Sequence, residues 1–335
     1  MVADEDLMMF EVCGTRYKLS EYNVAVEAHK DEFRDSLSLL NEFPYTVKSF
    51  QGDAIEQIKN AAISIVYKQE KISLYSFIKG LRAFEEQLPL SDETNGLEVE
   101  NNLELAVRHI ADKNDYHSVV IETFRILQDF HFLNATARWA LIEAHRILHF
   151  HSVLIWCNGW EQLWTRATWL NNAIIMYDSC FDKLIQAVWI GTESYRENKI
   201  GRESLITPEG LEVVYKKCWH RSDKRFSRIP SPYLHLFEEF QKTDYEIAVS
   251  NYAQRIKHRG GMRYAGMFPF GQTWNYANKN EYDSFNTRNE IDIDEVIDTV
   301  KDYHIGICKL ASQIVVFLME EFKKHGYLTG EDIHL

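Results

Sequence analysis

Proline and glycine are scarce, at 6 and 15 of 335 residues. Sandwiches and barrels need frequent turns, so this scarcity argues against them and favours long helices. The five cysteines (Cys13, Cys157, Cys180, Cys218 and Cys308) are odd in number, scattered and never in C-x-x-C spacing. That pattern excludes a disulfide framework and a zinc ribbon and fits a reducing, cytoplasmic setting. No apolar run approaches the ~20 residues of a membrane span. The longest, Ile314 to Met319, is far too short. The acidic start Met-Val-Ala-Asp-Glu-Asp suits neither a signal nor a transit peptide.

Familiar chemical motifs are missing too. There is no G-x-x-x-x-G-K-[ST], no G-x-G-x-x-G and no G-x-S-x-G. P-loop, Rossmann and hydrolase-elbow readings fall with them. A di-metal carboxylate bundle needs Glu-x-x-His twice, and only Glu331-x-x-His334 has that spacing. His145, His149 and His151 lie close in sequence, but Arg146 sits among them and Ile147, Leu148 and Phe150 are apolar. They read as core histidines, so neither a metal nor another cofactor is expected.

What is present is apolar and acidic. Hydrophobic residues make up 45%, enough for a sizeable core, and the formal charge is −13. An acidic surface opposes indiscriminate nucleic-acid binding, so any such contact needs a local patch. Lys216 to Arg263 supplies one, with 11 Lys and Arg against 5 Asp and Glu.

The period along the chain is mostly helical. Met8 to Lys18 alternate around Cys13-Gly14 and predict a small hairpin. Leu19 to Leu40 predict an amphipathic helix with Ser20 near its cap, followed by helices over Ala54 to Tyr67 and Leu74 to Leu88. Pro89 to Gly96 is a polar linker, and Leu97 to Ile110 is helical again. Residues 116–195 have almost no breaker and are expected to bend near Asn134 and Asn158. Trp169 to Ile190 is apolar nearly all round, as a buried central helix is. Asn171, Asp178 and Asp182 form its one polar stripe, either an internal hydrogen-bond cluster or the wall of a cleft. Thr207-Pro208-Glu209-Gly210 starts a helix by cap, proline and acid. Asp292-x-x-Glu295 resembles a capping box for a last long helix that stops at Gly326. Gly260 to Asn289 is a long loop with seven aromatics from Tyr264 to Phe285. The expected domains are 1–155 and 156–335.

The sharpest feature is Asn251-Tyr-Ala-Gln-Arg-Ile-Lys-His258-Arg-Gly-Gly261, the last turns of a helix stopped by two glycines. Asn251, Arg255 and His258 fall at i, i+4 and i+7 and share one stripe. An amide, a guanidinium and an imidazole so placed can grip a phosphate and move a proton near neutral pH. Lys257, His258 and Arg259 occupy the final turn, where the helix dipole favours positive charge.

Tyr252-Ala-Gln-Arg-Ile-Lys-His258-Arg-Gly-Gly, after an apolar bundle helix and before a long closing one, resembles the signature helix of HEPN domains. The similarity covers roughly Trp160 to Lys324, with an extra helical N-terminal half. The resemblance implies an all-α, up-and-down helical bundle that dimerises so that two signature helices line one cleft. It implies a metal-independent endoribonuclease of a toxin–antitoxin or phage-defence system, with an antitoxin as a further partner. His258 carries over by position. The family's arginine slot holds Asn251, Tyr252 and Ala253, so that role falls to Arg255 or Arg259. On this reading His258 transfers the proton, Arg255 or Arg259 clamps the phosphate, and Asn251 orients either. Lys257 and Arg263 would contact the RNA backbone, and Tyr264 or Trp274 would stack an unpaired base. The alternatives are a catalytically silent module that binds RNA, nucleotide or a protein partner, and a purely structural scaffold. No membrane contact is expected.

Overall fold

A computed structural model describes residues 8–32, 59, 62–89, 117–149, 159–218, 229–258, 262–266 and 290–326. The chain is mostly helical, as the periodicity predicts, with one small sheet. Four strands, β1 (Met8–Val12), β2 (Thr15–Lys18), β3 (Ile63–Tyr67) and β4 (Glu70–Ser73), form an antiparallel sheet in the order β2-β1-β3-β4. The α-helices are α1 (Tyr22–Ala28), α2 (Leu74–Glu86), α3 (His117–His145), α4 (Gly159–Gly191), α5 (Pro208–Cys218), α6 (Ser231–Gln241), α7 (Asp244–His258) and α8 (Ile293–Lys324). Among the described residues no helix is long and apolar enough to cross a membrane.

The chain divides into two compact units, neither of them continuous. The first comprises Met1–Gln87, Ala140–Asn172 and Gly260–Asp298; the second comprises Leu88–Trp139, Ala173–Arg259 and Thr299–Leu335.

In the first unit, the β1–β2 hairpin forms where the alternation around Cys13-Gly14 predicts it. Both turn residues have positive φ, 47° and 79°, as a two-residue turn of the mirror-image type requires. The β3–β4 turn is built the same way from Lys68 (φ 49°) and Gln69 (φ 67°). Met8, Phe10 and Val12 face one side of β1 and pair in register with Tyr67, Ile65 and Ile63. That face packs on Phe77, Ile78 and Leu81 of α2. Ser73 caps α2 by accepting from the Ser76 amide at 3.1 Å.

β3 corrects the helix expected over Ala54 to Tyr67. Its residues are buried on both faces, Ile63 and Ile65 on one and Ser64 and Val66 on the other. A strand covered on both sides loses its two-residue alternation and reads like a buried helix segment. The β-branched run Ile-Ser-Ile-Val supplies the preference, and pairing with β1 fixes it.

In the second unit, rings from three helices, α4, α6 and α8, interlock. Phe181 meets Phe237 at 5.6 Å and Phe240 at 5.5 Å, and Phe240 meets Tyr303 at 5.4 Å. His304 is fully buried. Its Nε2 lies 2.7 Å from the Pro89 carbonyl oxygen and must donate there, so Nδ1 accepts from the Tyr177 hydroxyl at 2.9 Å. Burial holds this imidazole down at about 4, hence neutral. α3 runs through Asn134 without the expected bend. The Asn134 amide instead donates to Cys308 Sγ at 3.3 Å. The caps of α5 and α8 are as predicted: Thr207 Oγ1 accepts from the Gly210 amide at 3.2 Å and Asp292 Oδ1 from the Asp294 amide at 2.8 Å. Gly326, at φ 68°, ends α8.

Gly306 lies inside α8, where alanine would ordinarily add about 1 kcal/mol of helix preference. A Cβ there would come within 2.6 Å of the Tyr245 hydroxyl and 2.8 Å of its ring carbons. That ring is held against Phe240 and Tyr303 and cannot simply swing away. Gly306→Ala should therefore destabilise the protein by about 1–3 kcal/mol in urea unfolding. In the Tyr245→Ala background the same change should be neutral or stabilising.

Candidate functional site

α7 carries the predicted stripe. Its first turn is acidic (Asp244, Glu246) and its last turn is basic (Arg255, Lys257, His258), so both ends complement the helix dipole. Val249 and Ala253 are buried and seat the helix. Asn251 and His258 are exposed, and Arg255 is half-buried. Lys257 is anchored, with Nζ 2.7 Å from Oδ2 of the buried Asp178. Among the described residues no hydrogen bond or ion pair engages Arg255 or His258. Arg259 and Trp274 lie outside the described residues.

The polar stripe on α4 does not open as one wall. Asn171, in the first unit, accepts from the Tyr264 hydroxyl at 2.8 Å. Asp178, in the second, holds Lys257. Asp182 is half-buried. Tyr264 corrects the base-stacking expectation, because it is fully buried and has no open ring face. Its amide bridge to Ile291 draws it inward: Ala265 N donates to the Ile291 carbonyl at 3.0 Å, and Ile291 N to that of Arg263 at 3.0 Å. Arg263 is half-buried.

One densely bonded charge in the first unit carries no local sequence signal. Arg166 of α4 is 1% exposed. Its Nε donates to the Ala144 carbonyl at 2.8 Å, Nη1 to Tyr67 OH at 2.8 Å and Nη2 to Asp294 Oδ1 at 2.6 Å. Lys68 Nζ, at the β3–β4 turn, reaches Asp294 Oδ2 at 2.7 Å and Asp292 Oδ2 at 2.8 Å. Burial alone would raise the Asp294 carboxyl, but Arg166 and Lys68 hold it down at about 2. Burial pushes the Tyr67 hydroxyl up, so it stays protonated and donates to Asp294 Oδ2 at 3.2 Å. This group clamps segments of the first unit together.

The histidines at the end of α3 have separate partners. α3 ends at His145, so His145 and His149 do not share a helix face. His145 stacks on Phe84 with centroids 3.8 Å apart. His149 is gripped by the buried Gln162, which accepts from its amide at 2.7 Å and donates to its carbonyl at 3.2 Å. Burial, with the charges of Arg146 and Arg166, holds the His149 ring down at about 3. Its Nδ1 lies 3.6 Å from Glu143 Oε2. His151 lies outside the described residues. One other trio, Cys13, His29 and Glu32, brings its ligand atoms within 4.8 Å of one another. It escaped notice because its 15- and 2-residue gaps form no familiar pattern; the only signal was a His-x-x-Glu pair after a turn cysteine.

Compared with protein-family models, curated proteins and solved structures, the chain matches none.

The Asp294 clamp makes a pH prediction. Its carboxyl falls from 3.8 to about 2 on folding, so its contribution is complete above pH 3.8 and is lost as pH falls towards 2. At neutral pH, Asp294→Asn should cost about 1–2 kcal/mol by leaving a buried guanidinium without its counter-charge, the loss being moderated by solvent at a carboxylate that is itself 39% exposed. Denaturant titrations should show the gap between wild type and variant narrowing below pH 4. A gap that is constant from pH 7 to 2 would refute the clamp.

Proposed function

We propose that this chain is a HEPN-like helical protein that binds RNA through the end of α7, with Arg255 holding a phosphate and His258 beside it. The observation that supports this reading is the division of labour among three basic side chains on one turn. Lys257 is neutralised by the buried Asp178, whereas Arg255 and His258 have no such partner among the described residues. In a chain of net charge −13, cations left open on one turn suit an anionic ligand. The helix dipole opposes an anion at this end, so the attraction must come from the side chains. A guanidinium can hold a phosphate through two parallel hydrogen bonds, and single-stranded RNA offers such groups without a groove to enter.

In the cleaving form of this proposal, His258 takes or returns the proton at the ribose and leaving oxygens while Arg255 steadies the phosphorane charge. Pairing of two copies would bring a second His258 to supply the other proton-transfer role. A binding-only form is favoured by Ala253, which is fully buried within the segment where the family carries its arginine. An antitoxin partner belongs to the cleaving form alone.

Titration of a fluorescent single-stranded RNA across a salt series tests the proposal. Arg255→Ala should weaken binding roughly tenfold and lower the salt slope by about 1. Unchanged affinity and slope would refute it. RNA cut in the presence of EDTA by the wild type and not by His258→Ala identifies the cleaving form. Binding without cutting identifies the other.

A further inference from the structure

We propose that Cys13, His29 and Glu32 form a zinc site that ties the first hairpin turn to the chain just after α1. All three belong to the first unit, and the site is independent of the RNA reading. Their ligand atoms lie within 4.8 Å of one another. Cys13 Sγ is 3.4 Å from Glu32 Oε1. Around a tetrahedral zinc ion, with a sulfur at ~2.3 Å and an oxygen at ~2.0 Å, that edge is about 3.5 Å. The thiol and the carboxylate thus already stand at the separation that a shared ion imposes, with the imidazole within reach.

The donor set selects the metal. A thiolate, an imidazole and a carboxylate suit zinc and its borderline neighbours. Magnesium and calcium prefer oxygen alone. Three protein ligands leave a fourth position for water, and the exposed Cys13 lies where solvent ions can reach it.

Two features hold the ligands in place. Cys13 sits at φ 47° in the first position of its turn, which favours asparagine, aspartate or glycine. Turn preference therefore does not account for a cysteine there. Its amide donates to the Ala62 carbonyl at 3.0 Å, which fixes the turn against the start of β3. His29 is steadied by Tyr17 of β2, whose hydroxyl lies 2.9 Å from Nε2 and whose ring meets the imidazole edge-on at 5.8 Å. Such outer contacts orient histidine ligands in metal sites.

Without an ion, the thiol keeps its proton and donates it to Glu32. Zinc binding replaces that proton with a Zn–S bond and releases it to solvent, so one zinc ion displaces one thiol proton at this residue.

Titration of the reduced, EDTA-treated full chain with Co²⁺ reports on the thiolate directly. One equivalent should produce a thiolate-to-cobalt charge-transfer band, and Zn²⁺ should abolish it. Cys13→Ser should remove the band, and His29→Gln should weaken cobalt binding about tenfold or more. Zinc should also protect Cys13 of the wild type from alkylation, read by peptide mass spectrometry, a measurement that needs no variant to fold. No band with excess cobalt, a band that survives Cys13→Ser, or Cys13 labelling indifferent to zinc would overturn the site.

Discussion

A guanidinium can be buried to 1% exposure only if its donors are met and its charge is balanced, and Arg166 meets that demand with four residues from three stretches of the chain. The end of α3 offers a carbonyl, β3 a tyrosine hydroxyl, the first turn of α8 a carboxylate, and the β3–β4 turn a lysine that shares that carboxylate. Apart from the consecutive Tyr67 and Lys68, these groups are far apart in sequence, so the network specifies which segments of the first unit belong together. It also explains the β3–β4 turn, where Lys68 adopts a backbone conformation more often taken by asparagine or glycine. The turn holds its first residue where its side chain reaches Asp292 and Asp294.

The same requirement separates structural cations from available ones elsewhere. Lys257 looks like its neighbours Arg255 and His258 in sequence, yet among the described residues only Lys257 faces a buried carboxylate. In the first unit Glu11, nearly buried in β1, is met by Arg16 directly across the β1–β2 ladder and by Lys71 of β4. A cation whose partner is supplied by the fold keeps the fold together. A cation that has none is free to meet something else.

Local grammar was legible in the sequence. Thr207 and Asp292 cap their helices, Gly326 ends one, and Cys13-Gly14 turns a hairpin, because each acts within a few residues of itself. Long-range pairing was not legible. Arg166 and Asp294 are 128 residues apart, and nothing near either names the other. Ile63–Tyr67 passed for helix because burial on both faces erased the alternation that marks a strand. Tyr264 passed for a loop aromatic because its burial depends on Asn171 and Ile291, which no local pattern links to it. The α7 end was the opposite case. Its helix and its basic last turn were local, so they could be read in advance, whereas the tie between Lys257 and Asp178 could not.

The most direct test compares Lys257→Ala with Arg255→Ala in two readouts, unfolding free energy and RNA affinity. The account predicts a crossed result. Lys257→Ala lowers stability by about 1–3 kcal/mol and leaves most of the affinity, whereas Arg255→Ala leaves stability near wild type and loses affinity. The reverse pattern, or equal effects of both changes in both readouts, would contradict the claim that pairing with Asp178 divides structure from function at the end of α7.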